Sequence, residues 1–225
     1  MRGGEGGPVA GGRGGTFASV RVGGPADAGR AASLHGQLIS EGFLASLGAQ
    51  FLRRLYGRIA RSDDSFLLVA EAEGTVVGFI AGSVALGRLY RSFLLRDSVA
   101  AALSAPVGLV TALPRVFETL RHGLGHGLGG ADTHAGELLA VAVDPRFRGR
   151  RVGLGLVEGF LGELERRGAG AASVVVGADN ASAIAMYERA GFTVARSFEM
   201  HRGTRSVVME TAVPSRAVPY AEPGS

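Results

Sequence analysis

The chain contains no cysteine, no tryptophan and no lysine among its 225 residues. Without cysteine it can form neither a disulfide nor a thiolate metal site, and a cysteine nucleophile is excluded. Without lysine, Schiff-base chemistry and a lysine-dependent phosphate loop are excluded as well. All 24 basic residues are arginine, and 37 residues are glycine. Because the composition is so rich in arginine and glycine, the presence of either residue type does not by itself indicate a binding site.

Charge and hydrophobic content suit a folded domain that binds an anion. Hydrophobic residues make up 46% of the chain, and the formal net charge is +4. A basic chain suits nucleic acid, an anionic membrane or a polyanionic cofactor. Because the arginines are scattered and aromatic residues make up only 7%, we expect no specific nucleic-acid partner. The first residues do not resemble a signal peptide, and we expect a cytoplasmic protein.

Hydrophobic periodicity predicts one α/β domain with two tails and an insertion. We expect a disordered glycine-rich tail over 1–15, a folded domain over 16–212 and a flexible tail over 213–225. The predicted order is β-α-α-β-β, a helical insertion over 86–130, and then β-α-β-α-β-β. The predicted segments are 17–22, 25–39, 50–60, 65–72, 75–84, 137–143, 152–168, 173–176, 181–190, 192–200 and 205–211.

The segment 139–155, LAVAVDPRFRGRRVGLG, leads from an apolar strand through a basic, glycine-bearing loop into an amphipathic helix. The first turn of a helix leaves N–H groups unpaired at the positive end of its dipole, and phosphate oxygens bind there. Four side chains add positive charge to this loop: Arg146, Arg148, Arg150 and Arg151. We therefore expect a cofactor pyrophosphate to bind here.

A second segment, 180–192, has the sequence NASAIAMYERAGF. Together the two segments resemble the GNAT superfamily of acyl-CoA-dependent N-acyltransferases. The loop is similar to the family's acetyl-CoA signature, Gln/Arg-x-x-Gly-x-Gly/Ala, and the second segment to Asn-x-x-Ala-x-x-x-Tyr-x-x-x-Gly-Phe. The apolar hairpin ending VVGFIAG resembles the family's central strands. The resemblance implies a GNAT fold, in which helices flank a mixed, mostly antiparallel sheet, with the insertion between strands 3 and 4.

The loop fits the signature in two registers. Residues 150–155, RRVGLG, match it literally, whereas 148–153, RGRRVG, match except that Arg151 replaces the first glycine. We favour the second register because it keeps the family's spacing after Pro145 and puts Val152 on the buried face of the helix. The resemblance then assigns cofactor binding to Arg148, Gly149, Arg150, Arg151, Val152, Gly153 and Leu154.

The resemblance also implies the reaction, which is direct attack of a primary amine on the thioester of acetyl-CoA without a metal. Backbone groups of Val141, Ala142 and Val143 would pair with the pantetheine arm and polarise the acetyl carbonyl. Asn180 would bond the same arm, and capping of its helix is the alternative or additional role. Tyr187 would protonate the leaving thiolate, since a phenol is ordinarily protonated at neutral pH. A core tyrosine is the alternative.

Glu137 is the predicted general base. It precedes Val143 by six residues, a spacing similar to that of the catalytic glutamate of the histone-acetylating members, which acts through water. A carboxyl beside an apolar strand can have a raised pKa. The members that acetylate N-terminal amines carry their glutamate on the fifth strand, where this chain has Val175. A solvent-facing Glu137 is the alternative, with His134 and Glu71 as weaker candidates.

The insertion and the acceptor leave several alternatives open. His122 and His126 lack an evident third ligand, so we expect no metal site. The uncharged segment 98–114 is shorter than the roughly 20 residues that span a bilayer. We expect it to cover the acceptor site or to form a homodimer interface, with peripheral membrane contact as the alternative. The acceptor is a small molecule, an amino sugar or a protein amine. A non-catalytic acyl-CoA-binding sensor is the alternative function.

Overall fold

The computed structural model describes residues 18–39, 48–86, 135–200 and 204–214. Elements are numbered in chain order within these ranges. The strands are β1 Ser19–Val22, β2 Ser65–Ala72, β3 Thr75–Ser83, β4 Ala135–Val143, β5 Ala171–Gly177, β6 Thr193–Met200 and β7 Thr204–Ala212. The helices are α1 Ala28–Leu38, α2 Ala49–Ile59, α3 Val152–Arg166 and α4 Ala181–Arg189, and 3-10 turns lie at Pro25–Asp27 and Pro145–Phe147. The predicted tail over 1–15 and residues 87–130 of the predicted insertion lie outside the described residues.

The strands form one sheet in the order β1-β2-β3-β4-β5-β7-β6. Every neighbouring pair is antiparallel except β4 and β5, which are parallel. Helices α1 and α2 cover one face, and α3 packs with α4 on the other. This mixed, mostly antiparallel sheet flanked by helices confirms the predicted fold class.

The periodic apolar residues pack as the sequence predicts. In α3, the residues at spacing four are all at most 7% exposed; they are Val152, Leu156, Phe160 and Leu164. In α2, Phe51, Leu55 and Ile59 are buried in the same manner. Each such side chain stabilises the fold by roughly 1.5–3 kcal/mol when fully buried. The two helices are therefore held to opposite faces of the sheet mainly by these stripes.

Strands β4 and β5 separate part-way along their length. Their parallel pairing ends at Leu138 and Val174, although both strands continue beyond that pair. A β-bulge lies at the same level, because Leu139 has no partner in the register of β3. Bulges bend a strand and change its twist. A gap consequently opens between the second halves of β4 and β5.

Gly136 allows α3 to lie close to the paired half of β4. A Cβ atom at this position would collide with the side chain of Leu164.

The C-terminal end of the folded domain extends slightly beyond the predicted boundary at residue 212. Val213 is 4% exposed, and its N–H donates to the carbonyl of Gly170 at 3.0 Å. Among the described helices, none combines the length and apolar character needed to cross a membrane. The segment 98–114 lies outside the described residues.

Candidate active site

Backbone polar groups line the gap on its β4 side. The N–H of Asp144 donates to the carbonyl oxygen of Val77 in β3, 2.8 Å away. Because successive strand residues direct their backbone groups to opposite edges, those of Val141 and Val143 point to the other edge, toward the gap. No strand among the described residues pairs with them there. An extended ligand with amide groups can add to such an edge as a further strand does.

Asp144 holds the turn that follows β4. Its carboxylate accepts hydrogen bonds from the Arg146 N–H at 3.1 Å and from the Arg146 guanidinium at 3.1 and 2.9 Å. Arg30 of α1 reaches the same carboxylate at 3.5 Å. These bonds, the Arg146 side chain above all, lower the pKa of Asp144 to about 2. The sequence predicts that Arg146 adds charge for a phosphate, but the structure shows that Asp144 engages its guanidinium.

The loop before α3 has the backbone shape expected of a glycine-rich signature. Gly149 and Arg151 both have positive φ, 73° and 62°. This left-handed conformation favours glycine and costs other residues roughly 1–2 kcal/mol. Arg151, at the position of the signature glycine, thus adopts the left-handed conformation that glycine favours. Helix α3 begins at the next residue, Val152, as the favoured register predicts.

The first turn of α3 presents unpaired N–H groups. Arg151 provides no side-chain cap, and its carbonyl accepts the N–H of Gly155 at 2.9 Å. The N–H groups of Val152, Gly153 and Leu154 therefore have no acceptor within the helix. These donors, at the positive end of the dipole, suit phosphate oxygens.

Two exposed arginines flank the same turn. Arg148 is extended at the end of the 3-10 turn. The guanidinium of Arg150 lies over the Phe147 ring, 5.4 Å from its centroid. This cation–π contact restricts the side chain beside the loop without neutralising its charge. Both arginines therefore add positive charge near the start of α3.

Gly153 lies where α3, α4 and β4 meet. A Cβ atom there would lie 2.8 Å from the Met186 sulfur and 3.8 Å from Cγ2 of Val143. The start of α3 therefore approaches both the middle of α4 and the last residue of β4. Through this close approach, the two segments identified in the sequence become neighbours in the fold.

Tyr187 follows Met186 in α4 and is 3% exposed. Its ring packs against Phe192, with centroids 5.7 Å apart. Burial raises the pKa of the phenol, so it stays protonated at neutral pH. No described residue hydrogen-bonds to its hydroxyl. The ring of Tyr187 thus packs in the core, and its hydroxyl stays protonated and able to donate a proton.

Asn180 caps α4. Its Oδ1 accepts a hydrogen bond from the Ala183 N–H at 3.1 Å. The capping role that the sequence allowed is therefore present. The side-chain amide nitrogen has no acceptor among the described residues, and the residue is exposed. Capping uses the Oδ1 atom of Asn180, so its amide nitrogen is available to donate to a ligand.

Glu137 lies in the paired half of β4, opposite Ser83 of β3 and Ser173 of β5. Burial alone raises the pKa of its carboxyl to about 7. Neither a charge nor a hydrogen bond offsets this shift. A carboxyl with such a pKa is ionised in a substantial fraction at neutral pH and can accept a proton there. Its surroundings have the character expected for a base.

The other candidates for the general base do not have the surroundings of Glu137. Glu71 accepts a hydrogen bond from Arg21 at 2.8 Å and forms an ion pair with it. Val175 on β5 pairs with Val208 of β7 and offers no titratable group. Three histidines considered from the sequence lie outside the described residues: His122, His126 and His134. Within the described ranges, no cluster of metal-ligating side chains occurs.

Sequence reasoning missed Ser173. This residue is 2% exposed, and its hydroxyl has no hydrogen-bond partner among the described residues. The signal was a single polar residue inside the apolar strand AASVVV. Its position beside Glu137 depends on the pairing of two strands that are distant in sequence.

A family model described as the acetyltransferase (GNAT) family matches residues 37–192. The chain belongs to this family. Ribosomal protein bS18-alanine N-acetyltransferase of Escherichia coli is 43% identical over 58 residues, 26% of this chain and 39% of that relative. The match thus spans well under half of the curated relative's length.

Solved structures confirm the GNAT fold. Ard1 from Thermoplasma volcanium superposes with a TM-score of 0.57 at 18% identity, covering 88% of this chain and 99% of that one. The structure of YncA from Salmonella typhimurium with its cofactor acetyl-CoA gives a TM-score of 0.54 at 17% identity, covering 91% and 98%. At these identities, the similarity shows the fold alone.

Proposed function

We propose that this chain transfers the acetyl group of acetyl-CoA to a primary amine. The observation that carries the proposal is that unpaired backbone groups lie at both ends of one loop. One set is at the open edge of β4, at Val141 and Val143, and the other is at the uncapped start of α3, at Val152. GNAT proteins use acetyl-CoA, which has both an amide-bearing arm and a pyrophosphate. The open edge of β4 suits the amide-bearing arm, and the first turn of α3 suits the pyrophosphate.

Binding would be shared between backbone and side chains. Val141 and Val143 would pair with the pantetheine arm, with Ala142 between them directed to β3. The amide nitrogen of Asn180 would donate to the same arm. The pyrophosphate would accept from the first turn of α3, and the cofactor-binding set there is Arg148, Gly149, Arg150, Arg151, Val152, Gly153 and Leu154. The positive φ angles of Gly149 and Arg151 lead the backbone from the loop into the first turn of α3, where these N–H donors lie.

The chain's residues would carry the proton movements of the reaction. Acetyl-CoA, when bound, supplies the acetyl thioester. Glu137 would take one proton from the amine through water, so that the nitrogen lone pair can attack the carbonyl carbon. A backbone N–H at the open edge of β4 would stabilise the negative oxygen that forms. Tyr187 would give its proton to the sulfur as the carbon–sulfur bond breaks, and the second proton that the nitrogen loses would restore the phenol through solvent.

The acceptor is proposed only as a class, a primary amine. The bS18-alanine N-acetyltransferase among the relatives makes a peptide with an N-terminal alanine one useful probe. Amino sugars and small polyamines are others. Val175 stands where N-terminal-amine acetylating members carry a glutamate, and this difference favours Glu137 as the base. The cytoplasmic location stays a prediction.

The decisive experiment measures binding and turnover on the same full-length protein. Calorimetry with acetyl-CoA should give saturable binding, and thiol release should appear with at least one amine of a broad panel. Tyr187→Phe should keep acetyl-CoA binding within about threefold while slowing thiol release by about tenfold or more. Binding without turnover on any amine would favour the acyl-CoA sensor. Nucleic-acid binding with a steep salt dependence would contradict both.

A further inference from the structure

A row of polar side chains crosses the sheet at one level. Ser65 of β2 lies opposite Ser83 of β3, Ser83 lies opposite Glu137 of β4, and Glu137 lies opposite Ser173 of β5. Residues directly opposed on neighbouring strands project to the same face of the sheet. Neighbours two residues away show which face this is, since Ala81 packs in the cluster under α1 and α2. The row thus lies on that face, just before β4 and β5 separate.

The two ends of the row differ in how their hydrogen bonds are satisfied. Ser65 donates to the Ser83 hydroxyl at 3.0 Å, and Ser83 donates to the carbonyl of Asp64 at 3.0 Å. At the other end, the buried Ser173 hydroxyl has no hydrogen-bond partner in the part of the chain that the structure describes. Within the same ranges, no group donates to Glu137 beside it. An unsatisfied buried hydroxyl is unfavourable, and each instance in a native protein requires an explanation.

The explanation lies in the pairing of these two side chains. Neighbouring strands are about 4.8 Å apart, so a hydroxyl and a carboxyl on directly opposed residues are within reach after side-chain rotation. A hydroxyl that donates to a carboxylate stabilises the ionised form more than the neutral one. The ionised form of Glu137 is the one that accepts a proton.

We propose that Ser173 is a positioning residue for Glu137, whose ionised carboxylate accepts a hydrogen bond from the Ser173 hydroxyl and is thereby held ready as the base. This inference rests on the proposed function, because it takes Glu137 as the base. Ser173 itself does not touch the reacting atoms. It acts by favouring one charge state and one orientation of its neighbour.

Few other titratable groups lie on this face among the described residues. His35 of α1 is buried and bonded to the Tyr56 hydroxyl at 2.6 Å. Glu210 of β7 lies opposite Ser173, two strands away from Glu137. Arg196 of β6 lies opposite Val208 of β7, three strands away from Glu137. Arg30 of α1 is directed to Asp144, beyond the far end of β4. Since burial is the sole cause of the raised pKa of Glu137, none of these groups offsets it. Ser83 also lies opposite Glu137, but its hydroxyl donates to the Asp64 carbonyl. Ser173 therefore supplies the directly opposed hydroxyl that is not already engaged among the described residues.

The test is a carbon-13 NMR titration of the full-length protein labelled at glutamate carboxyl carbons. The Glu137 signal is assigned by its loss in Glu137→Gln, and no amine acceptor is needed. We expect Ser173→Ala to raise the apparent pKa of Glu137 by about one unit, as loss of a hydrogen bond to a charged group predicts. Ser173→Thr, which keeps the hydroxyl, should stay within about 0.3 units of the parent protein. Ser65→Ala, a buried hydroxyl of the same row, is the matched control and should cause no shift.

Activity supplies the second readout. With an amine that the panel identifies, the acidic limb of the kcat/KM profile should move upward by about one pH unit in Ser173→Ala, with the alkaline plateau kept within about twofold. Glu137→Gln should remove that limb, and Ser173→Ala should then add nothing further. An unmoved titration in Ser173→Ala, or an equal shift in Ser65→Ala, overturns the inference and leaves the proposed function intact. A limb that persists in Glu137→Gln instead removes Glu137 as the base, and the inference with it.

Discussion

The two halves of β4 leave different groups unpaired. In the half before Leu139, the backbone is paired with both neighbouring strands, and the Glu137 side chain is half-buried with no hydrogen-bond partner among the described residues. In the half after it, Val141 and Val143 pack against the core by their side chains, while one backbone edge has no strand beside it. Under the proposed function, one strand would supply a side chain for proton transfer at one end and backbone donors for cofactor binding at the other. If this division holds, substitutions in the two halves should have separable effects.

The largest effect is expected for Glu137→Gln, in the paired half. Glutamine keeps the size of the side chain but cannot accept the amine proton, so kcat should fall by about 10²- to 10⁴-fold. The dissociation constant of acetyl-CoA should stay within about twofold, because the open half is unchanged. Steady-state thiol release and calorimetry measure the two quantities. A parallel loss of binding would show that the halves are not separable.

A smaller effect concerns stability against pH. The pKa of Glu137 is raised from 4.5 to about 7, so its contribution to stability is complete below pH 4.5 and is lost as pH rises through 7. Glu137→Gln has no such loss. Its free energy of unfolding, relative to the parent protein, should therefore rise by roughly 2 kcal/mol between pH 5 and pH 8. Urea unfolding at both values measures this, and a constant difference would show that the carboxyl is not desolvated.

The smallest effect is expected at the end of the open half, where Gly153 approaches α4. Gly153→Val would press against Met186 and Val143 and should lower the free energy of unfolding by about 1 kcal/mol, the lower end of the cost of overpacking, because the Met186 side chain is flexible. Acetyl-CoA affinity should fall as well, because the first turn of α3 would move. Gly162→Val is the matched control in the same helix, since a Cβ atom there meets nothing within 4 Å. Equal losses of affinity in both variants would contradict a specific role for this contact.

Much of the fold was predictable because its signals are local. The stripe from Val152 to Leu164 repeats with the period of a helix, and all four of its residues are buried. The hairpin of β2 and β3 was predicted to within one residue, since its turn at Glu73 and Gly74 is marked in the sequence. The start of α3 at Val152 followed from the favoured register of the signature. Such features depend on residues close together in the chain.

Other features escaped prediction because they depend on distant partners. The charge of Arg146 is engaged by Asp144, and Arg30 of α1 adds to that cluster from far away in sequence. Arg151 departs from the signature, yet its left-handed backbone could be read only from the structure. Ser173 is a single serine in an apolar strand, and its sequence neighbours do not indicate a role. Its position opposite Glu137 follows from a parallel pairing that no local pattern encodes.

The sequence alone determined the family, the order of strands and helices along the chain, and the glycine-bearing loop that precedes α3. These follow from periodicity and from motifs written in consecutive residues. Only the tertiary structure decided where β4 and β5 separate, which backbone edge stays open, and which side chain lies beside Glu137. The physical reason is that strand register and burial are set by packing between distant segments. The same packing desolvates Glu137 and raises its pKa, an effect that the residue's own neighbours in sequence do not produce.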